Sequence, residues 1–264
     1  GASRFKKGIY HFFKKYGDKV AFAELNHEPI HFVDKAMYLL GDIIVFSAIR
    51  DHLGLARVKR AYVAGAALHP EAFYFYHGIG VNLKQTYGGT EVAGIAFVQR
   101  DKEVRAGSSG KALPNTQAKI GEDGAVYIKN SAVSTRYVDG ESTQGRDGWI
   151  SLGDCGHLED DGHLYVLDRI EDIIVSENNQ VIYPRLIENK LKSSPYIVEA
   201  VCFGRDKPYI TAMINMNWNS IGRWADKQRI AYTDYGDLAR NAKVIEFLEK
   251  QVSLLMEDFP SFAR

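Results

Sequence analysis

Tyr87-Gly88-Gly89-Thr90-Glu91 puts an aromatic ring, two glycines, a hydroxyl and a carboxylate in five consecutive positions after a short apolar run. Glycine lets backbone come close to a ligand, and a threonine hydroxyl can donate to a phosphate oxygen. A glutamate is a hard oxygen ligand for Mg²⁺, and a tyrosine ring can stack on a base. The set suits a nucleotide phosphate held with Mg²⁺, with Glu91 as the metal ligand. The same letters also suit a plain turn between two strands.

Four more blocks follow the same logic in a fixed order. Gly65-Ala66-Ala67 is a strip of small residues, 148–154 reads Gly-Trp-Ile-Ser-Leu-Gly-Asp, 168–172 reads Asp-Arg-Ile-Glu-Asp, and 184–188 reads Pro-Arg-Leu-Ile-Glu. Together with 87–91, these blocks resemble the adenylate-forming (AMP-binding) superfamily of acyl-CoA and aryl-CoA synthetases, luciferases and peptide-synthetase adenylation domains. The resemblance runs from about residue 60 to about residue 216.

The resemblance implies that Gly65, Ala66 and Ala67 lie along the purine and that Tyr87 stacks on it beside Gly88. It implies that Thr90 contacts the α-phosphate and Glu91 binds Mg²⁺, the two catalytic positions. Asp154 would take both ribose hydroxyls, a bidentate acceptor for a diol, and Arg169 would make a second ribose or phosphate contact. Read only from their neighbours, Gly153-Asp154 is also a common turn and Arg169 beside Asp168 also a surface pair. ATP or AMP, Mg²⁺ and coenzyme A are the implied cofactors, and a fatty acid or other carboxylic acid the implied substrate.

Gly80–Gln85 and the aromatic-rich Ser3–Lys19 stretch are most similar to the long-chain fatty acyl-CoA synthetase branch. The implied reaction activates a long-chain fatty acid to its acyl-adenylate and transfers it to CoA. The alternatives are an aryl-CoA ligase, a peptide-synthetase adenylation domain, and a non-catalytic adenine-nucleotide or acyl-sensing module.

Several positions depart from the family pattern. Gly124-Ala125-Val126 stands for Gly-Glu-Ile, Leu152-Gly153-Asp154 for Thr-Gly-Asp, and Glu171 for Lys or Asp. Glu177-Asn178-Asn179 stands where a Gly-Gly loop is expected, although Asn tolerates left-handed backbone. No Ser/Thr/Gly-rich phosphate loop precedes Tyr87, and the C-terminal catalytic lysine is not found before Arg264. The expectation is a C-terminal fragment that is inactive alone, since one well-placed group commonly contributes about 10²–10³ in rate.

Composition sets the outer limits. Thirty-three basic residues balance thirty-three acidic ones in 264, which gives no net field towards nucleic acid. The longest apolar runs, such as Asp42–Phe46, are too short to span a bilayer, and no signal peptide is visible. Cys155 and Cys202 lack metal-ligand spacing and suit reduced thiols, so the expected location is cytoplasmic, with peripheral membrane association as the variant. His27 and His31 are four apart, but Pro29 between them argues against a helix that would align them on zinc.

The elements that must position these residues follow from periodicity. Phe5, Ile9, Phe12, Phe13 and Tyr16 predict a helix over 4–16 stopped by Gly17, with a second helical region over 33–52. A strand at 61–63, a helix at 70–78 and a strand at 81–83 predict an α/β unit with parallel strands, whose carboxyl ends carry Gly65 and Tyr87. Short strands near 94–98, 118–120, 124–129, 149–152 and 164–167 predict an antiparallel sheet or small barrel, with a turn at Asp160-Asp161-Gly162. Strands at 173–175, 198–203 and 209–216 and a helix from Pro184 to Leu191 predict an α+β unit. Its last helix would carry Val244, Phe247, Leu248, Val252, Leu254 and Leu255 on an apolar face.

The predicted fold class is therefore α/β with α+β. Residues 1–168 read as the C-terminal part of the large AMP-binding domain, 169–172 as a hinge, and 173–264 as a truncated small C-terminal domain. Gly107-Ser108-Ser109-Gly110-Lys111 looks like a phosphate loop, but Arg105 and Ala112 stand where that motif needs Gly and Ser or Thr. The resemblance to the adenylate-forming family, whose Gly-Ser-x-Gly-Lys-x-x-Pro segment Pro114 completes, implies a structural connection instead.

Overall fold

Ser3 starts the first helix, α1 (Arg4–Leu25), by accepting the Lys6 N–H at 3.3 Å. The expected stop at Gly17 does not occur. Gly17 lies instead against Gly78 of α4 (Pro70–Gly78), where a Cβ would come 2.6 Å from the Gly78 carbonyl oxygen. The residue serves close helix packing, and the helix runs on to Leu25. A turn carrying His27, in left-handed backbone, and His31 leads to α2 (Phe32–Gly41), a π-helical turn (Asp42–Phe46) and α3 (Ser47–His52). Arg50 holds the π turn by donating to Asp42 and to the Ile79 carbonyl. Phe13, Phe46, Phe73, Ile79, Val81 and Leu83 form the core beneath these helices.

The computed structural model describes residues 3–65, 68, 70–140, 146–257 and 259. The chain divides into two compact units, one through Val166 and one from Leu167. In the first, β1 (Ala61–Val63) runs parallel to β2 (Leu83–Tyr87), with Val63 opposite Gln85. β2 begins two residues later than expected because Gly80 at φ +81 and the Val81 N–H to Tyr76 carbonyl bond keep the chain turning. β3 (Phe97–Val98) and β4 (Lys111–Ala112) add antiparallel edges in the order β1-β2-β3-β4.

A second sheet follows, ordered β5 (Gln117–Ile120), β6 (Ala125–Lys129), β7 (Ile150–Leu158) and β8 (Leu164–Arg169). Its apolar face packs Val126, Ile128, Ile150 and Leu164 onto Val92 and Phe97. The turn between β7 and β8 falls at Asp160-Asp161-Gly162 as expected, with Gly162 at φ +89. Ser108 and Ser109 are buried, and the Ser108 hydroxyl lies 2.9 Å from His163 Nδ1. That segment fastens the sheets together and is no phosphate cradle.

In the second unit, β9 (Ile174–Val175) pairs with β10 (Val181–Ile182), and Asn179 between them takes the left-handed conformation at φ +56. Pro184 opens α5 (Pro184–Lys192), which covers the antiparallel pair β11 (Ile197–Phe203) and β12 (Thr211–Met216). Glu188 accepts the Cys202 N–H at 2.9 Å. Burial, and then Glu188 and Asp168, push the Cys202 thiol up to about 12. Cys155 and Cys202 are both buried. α6 (Trp218–Lys227), α7 (Tyr235–Arg240) and α8 (Ala242–Leu255) build a second cluster in which Phe247 stacks on Trp224 at 4.2 Å. Val244 is buried as read, whereas Leu254 faces solvent because this helix buries one narrow stripe.

Candidate functional site

β2 delivers the pentapeptide to the carboxyl end of the parallel pair, beside the loop that leaves β1 through Gly65. Gly65 sits at φ +89, backbone that disfavours any side chain. Ala66 and Ala67 lie outside the described residues. Tyr87 ends β2 with its ring 6.1 Å from Phe97 and its hydroxyl donating to Asp154 Oδ2 at 2.8 Å. That bond joins residues 67 apart in sequence.

Asp154 owes its position to an irregularity in β7. Ala125 pairs with Cys155 and Tyr127 with Ser151, so extra residues of β7 bulge out between the two pairs. Gly153, at φ +79, supplies the left-handed backbone that the bulge needs, and Ser151 Oγ accepts its N–H at 3.2 Å. A bulge re-aims a side chain relative to the regular pleat. Here it turns a nearly buried carboxylate towards the end of β2.

Between these points the chain makes a compact loop. Gly88 fits where a Cβ would come 2.4 Å from the Gly94 carbonyl oxygen and 2.8 Å from Ile95 Cα, so the two sides of the loop touch through backbone. Thr90–Val92 form a 3₁₀ turn, and Gly89 carbonyl accepts from both Val92 N–H at 3.1 Å and Gly94 N–H at 2.9 Å. Val92 is buried in the sheet core and anchors the turn, leaving Thr90 exposed and Glu91 half-buried. Glu91 Oε1 accepts the Tyr137 hydroxyl at 2.8 Å, and the Glu91 carbonyl accepts the Ser134 N–H at 2.7 Å.

Tyr87, Gly88, Thr90, Glu91 and Asp154 thus belong to one unit, with Tyr87 and Asp154 in direct contact. Arg169 belongs to the other unit, where its N–H donates to Asp168 Oδ1 at 2.8 Å. Asp168 also accepts the Arg185 N–H, at 2.8 Å, and lies 3.5 Å from Arg185 Nε. Sequence reading missed Tyr137. Residues 130–140 show no periodicity and no motif that would single out a phenol for Glu91.

The donor chemistry can be weighed against the groups it would hold. Among the described residues, no three His, Cys, Asp or Glu gather as a metal cage. One carboxylate next to a hydroxyl fits Mg²⁺ that arrives on a nucleotide's phosphates, because that ion keeps most of its ligands from phosphate and water. A carboxylate offers about four acceptor positions, so the Tyr87 phenol leaves Asp154 the capacity for further donors such as a diol.

Residues 15–140 match the family model described as AMP-binding enzyme, and residues 171–253 match the model of the AMP-binding enzyme C-terminal domain. The long-chain-fatty-acid–CoA ligase FadD15 of Mycobacterium tuberculosis is 28% identical over 222 residues, which is 83% of this chain and 37% of that protein. The long-chain-fatty-acid–CoA ligase ACSBG1 of Bos taurus is 27% identical over 67% of this chain and 26% of its own length. The chain therefore spans little more than a third of the first of these relatives and about a quarter of the second.

Among solved structures, an anthranilate CoA ligase in complex with anthranoyl-AMP shares the fold, with a TM-score of 0.62 and 18% identity over 86% of this chain and 43% of that one. O-succinylbenzoate CoA synthetase of Bacillus subtilis in complex with its acyl-adenylate intermediate gives 0.55 at 27% identity, over 67% and 40%. Two family models in order, relatives that are fatty-acid–CoA ligases and a shared fold agree with the motif blocks. The chain belongs to the adenylate-forming AMP-binding enzymes.

Proposed function

We propose that this chain is part of an AMP-forming acid–CoA ligase that activates a long-chain fatty acid, and that residues 87–91 with Asp154 hold the adenylate. The observation that carries the reading is the 2.8 Å bond from the Tyr87 hydroxyl to Asp154 Oδ2, which joins the base-stacking and ribose-binding positions of two separate motifs. In this reading Gly65, Ala66 and Ala67 flank the purine, Gly88 lets the loop close, Thr90 donates to the α-phosphate, and Arg169 adds a ribose or phosphate contact. Glu91 would hold Mg²⁺, whose charge offsets that of the phosphates while the acid attacks. The chain's own contribution is placement and directed hydrogen bonding, the main resources for this class of transfer.

The long-chain assignment rests on the named relatives, among them FadD15 at 28% identity. An aromatic acid is the second reading, favoured by the o-succinylbenzoate enzyme at 27% identity. We place the reaction in the cytoplasm, where ATP, Mg²⁺ and CoA meet. Residues 169–172 would be the hinge between the large domain and the small one that follows.

Binding and chemistry are tested separately. AMP titrated into the 264-residue chain by calorimetry should bind, and Asp154→Asn should weaken that binding about tenfold, the loss expected for a charged hydrogen bond of roughly 1.5 kcal/mol. No AMP binding by the chain would remove the nucleotide site. In the complete polypeptide, pyrophosphate exchange driven by a long-chain fatty acid, and not by benzoates, would support the long-chain reading; the reverse would install the aromatic one.

A further inference from the structure

Glutamate is a long, flexible side chain, and ordering its carboxylate is a cost that ligand binding otherwise carries. Two contacts already order that of Glu91. Its Oε1 accepts the Tyr137 hydroxyl at 2.8 Å. Its Oε2 lies over Gly89, 2.9 Å from where a Cβ of that residue would stand. The Gly89 backbone is extended at φ −155, a conformation open to any residue, so the space above it answers to the carboxylate and to the Leu152 side chain and not to a backbone need.

The segment that brings Tyr137 to Glu91 is itself tied down. Val133 is buried in the same core as Val92, the residue after Glu91. The Ser134 N–H donates to the Glu91 carbonyl at 2.7 Å, so the segment grips the backbone of the residue whose side chain Tyr137 holds. Asn130 accepts the Ala132 N–H at 2.9 Å and donates to Thr116 Oγ1 at 3.3 Å. Past the phenol, the Gly140 N–H closes a turn on the Tyr137 carbonyl at 3.0 Å, with Gly140 at φ +91. Backbone on both sides of Tyr137 is therefore fixed by bonds that do not involve its hydroxyl.

The chemistry of the donor matters as much as its placement. A lysine or arginine here would neutralise the carboxylate and compete with a cation for it. A phenol is neutral, takes one of about four acceptor positions and leaves the negative charge whole. Hydrogen-bonded partners of this kind keep metal-ligating carboxylates in orientation. We infer that Tyr137 is a positioning residue, its hydroxyl keeping the Glu91 carboxylate oriented for Mg²⁺ that arrives on a nucleotide's phosphates. The inference rests on the adenylate reading of residues 87–91 and adds to it a residue from outside every motif block.

Calorimetric titration of the 264-residue chain with AMP, and with ATP in Mg²⁺ or in EDTA, tests this. Mg²⁺ should tighten ATP binding, and Tyr137→Phe should weaken the Mg²⁺-dependent binding about tenfold, the lower end of what loss of a metal ligand's hydrogen-bonded partner costs. AMP affinity and the thermal unfolding midpoint should stay as they were, because the ring and the turn remain. In a Glu91→Gln background, Tyr137→Phe should change nothing further, since a residue that acts through a carboxylate has no effect once the carboxylate is gone. Equal weakening of AMP and ATP would make Tyr137 a loop tie only and overturn the inference. So would unchanged Mg²⁺-dependent binding in Tyr137→Phe, the same loss with and without the Glu91 carboxylate, or a wild-type chain that binds AMP but gains nothing from Mg²⁺; each of these leaves the AMP site standing. A chain that binds no AMP would remove both.

Discussion

At the residue scale, the site depends on a carboxylate and a phenol that act together. Tyr87→Phe keeps the ring and removes the hydroxyl that donates to Asp154, leaving a nearly buried acceptor short of one partner. The expected cost is about 1–2 kcal/mol, read from urea unfolding midpoints, with AMP affinity weakened less than by loss of the carboxylate. The motif letters singled out Tyr87, Thr90, Glu91 and Asp154 by type, and the structure places all four in one unit, with Tyr87 on Asp154. They did not announce the Tyr87–Asp154 bond or the Tyr137 contact with Glu91, since both join distant segments. A second residue-scale effect is set by His163, buried with Nδ1 on Ser108 and Nε2 lacking a partner. Burial first, then the Arg105 charge, lowers its pKa, and burial lowers that of His77. Folded protein therefore binds fewer protons than unfolded protein as pH drops through about 6.5, the ordinary histidine value. Stability should decline on acidification across that window. Unfolding midpoints at about pH 7.5 and 5.5 will show it, with a shallower dependence in His163→Asn.

At the scale of elements, two glycines in one helix should respond with opposite signs. Gly8 in α1 has open space around it, so Gly8→Ala gains helix propensity and should stabilise by about 0.5–1 kcal/mol. Gly17 in the same helix meets Gly78, and Gly17→Ala puts a methyl 2.6 Å from a backbone oxygen. Overpacking of that kind costs about 1–3 kcal/mol. Thermal unfolding of both variants measures the contrast. The reading of Gly17 as a helix stop failed for the same reason: sequence shows the absence of a side chain but not the neighbour that requires it. The strands of the second sheet were legible from alternation, whereas β2 lay two residues off, the two-residue strands β4 and β10 were not seen, and the bulge that aims Asp154 was not legible because Gly153-Asp154 is spelled like any turn. Asn179 was read correctly as able to take left-handed backbone, a property of the residue itself.

At the scale of the molecule, the chain holds separate apolar clusters within each unit: Phe73, Val126 and their neighbours in the first, Leu191, Ile221 and theirs in the second. A unit with apolar clusters of its own can unfold by itself, so we expect two calorimetric transitions and not one. Excess AMP should raise the transition of the unit holding Tyr87 and Asp154, by mass action on its folded state alone. A single transition unmoved by AMP would count against both readings. The α/β unit, the antiparallel sheet and the α+β unit were all legible in order, because each has its own period.

The two inaccessible thiols have a practical consequence. With Cys155 and Cys202 shielded, and the latter held far from ionisation at neutral pH, maleimide dyes should find no native target in the folded chain. One exposed serine in each unit, Ser131 and Ser253, can then be replaced by cysteine and labelled as a donor–acceptor pair. Energy transfer between the two fluorophores would report whether the distance between the units changes when nucleotide is added, on the unaltered remainder of the polypeptide.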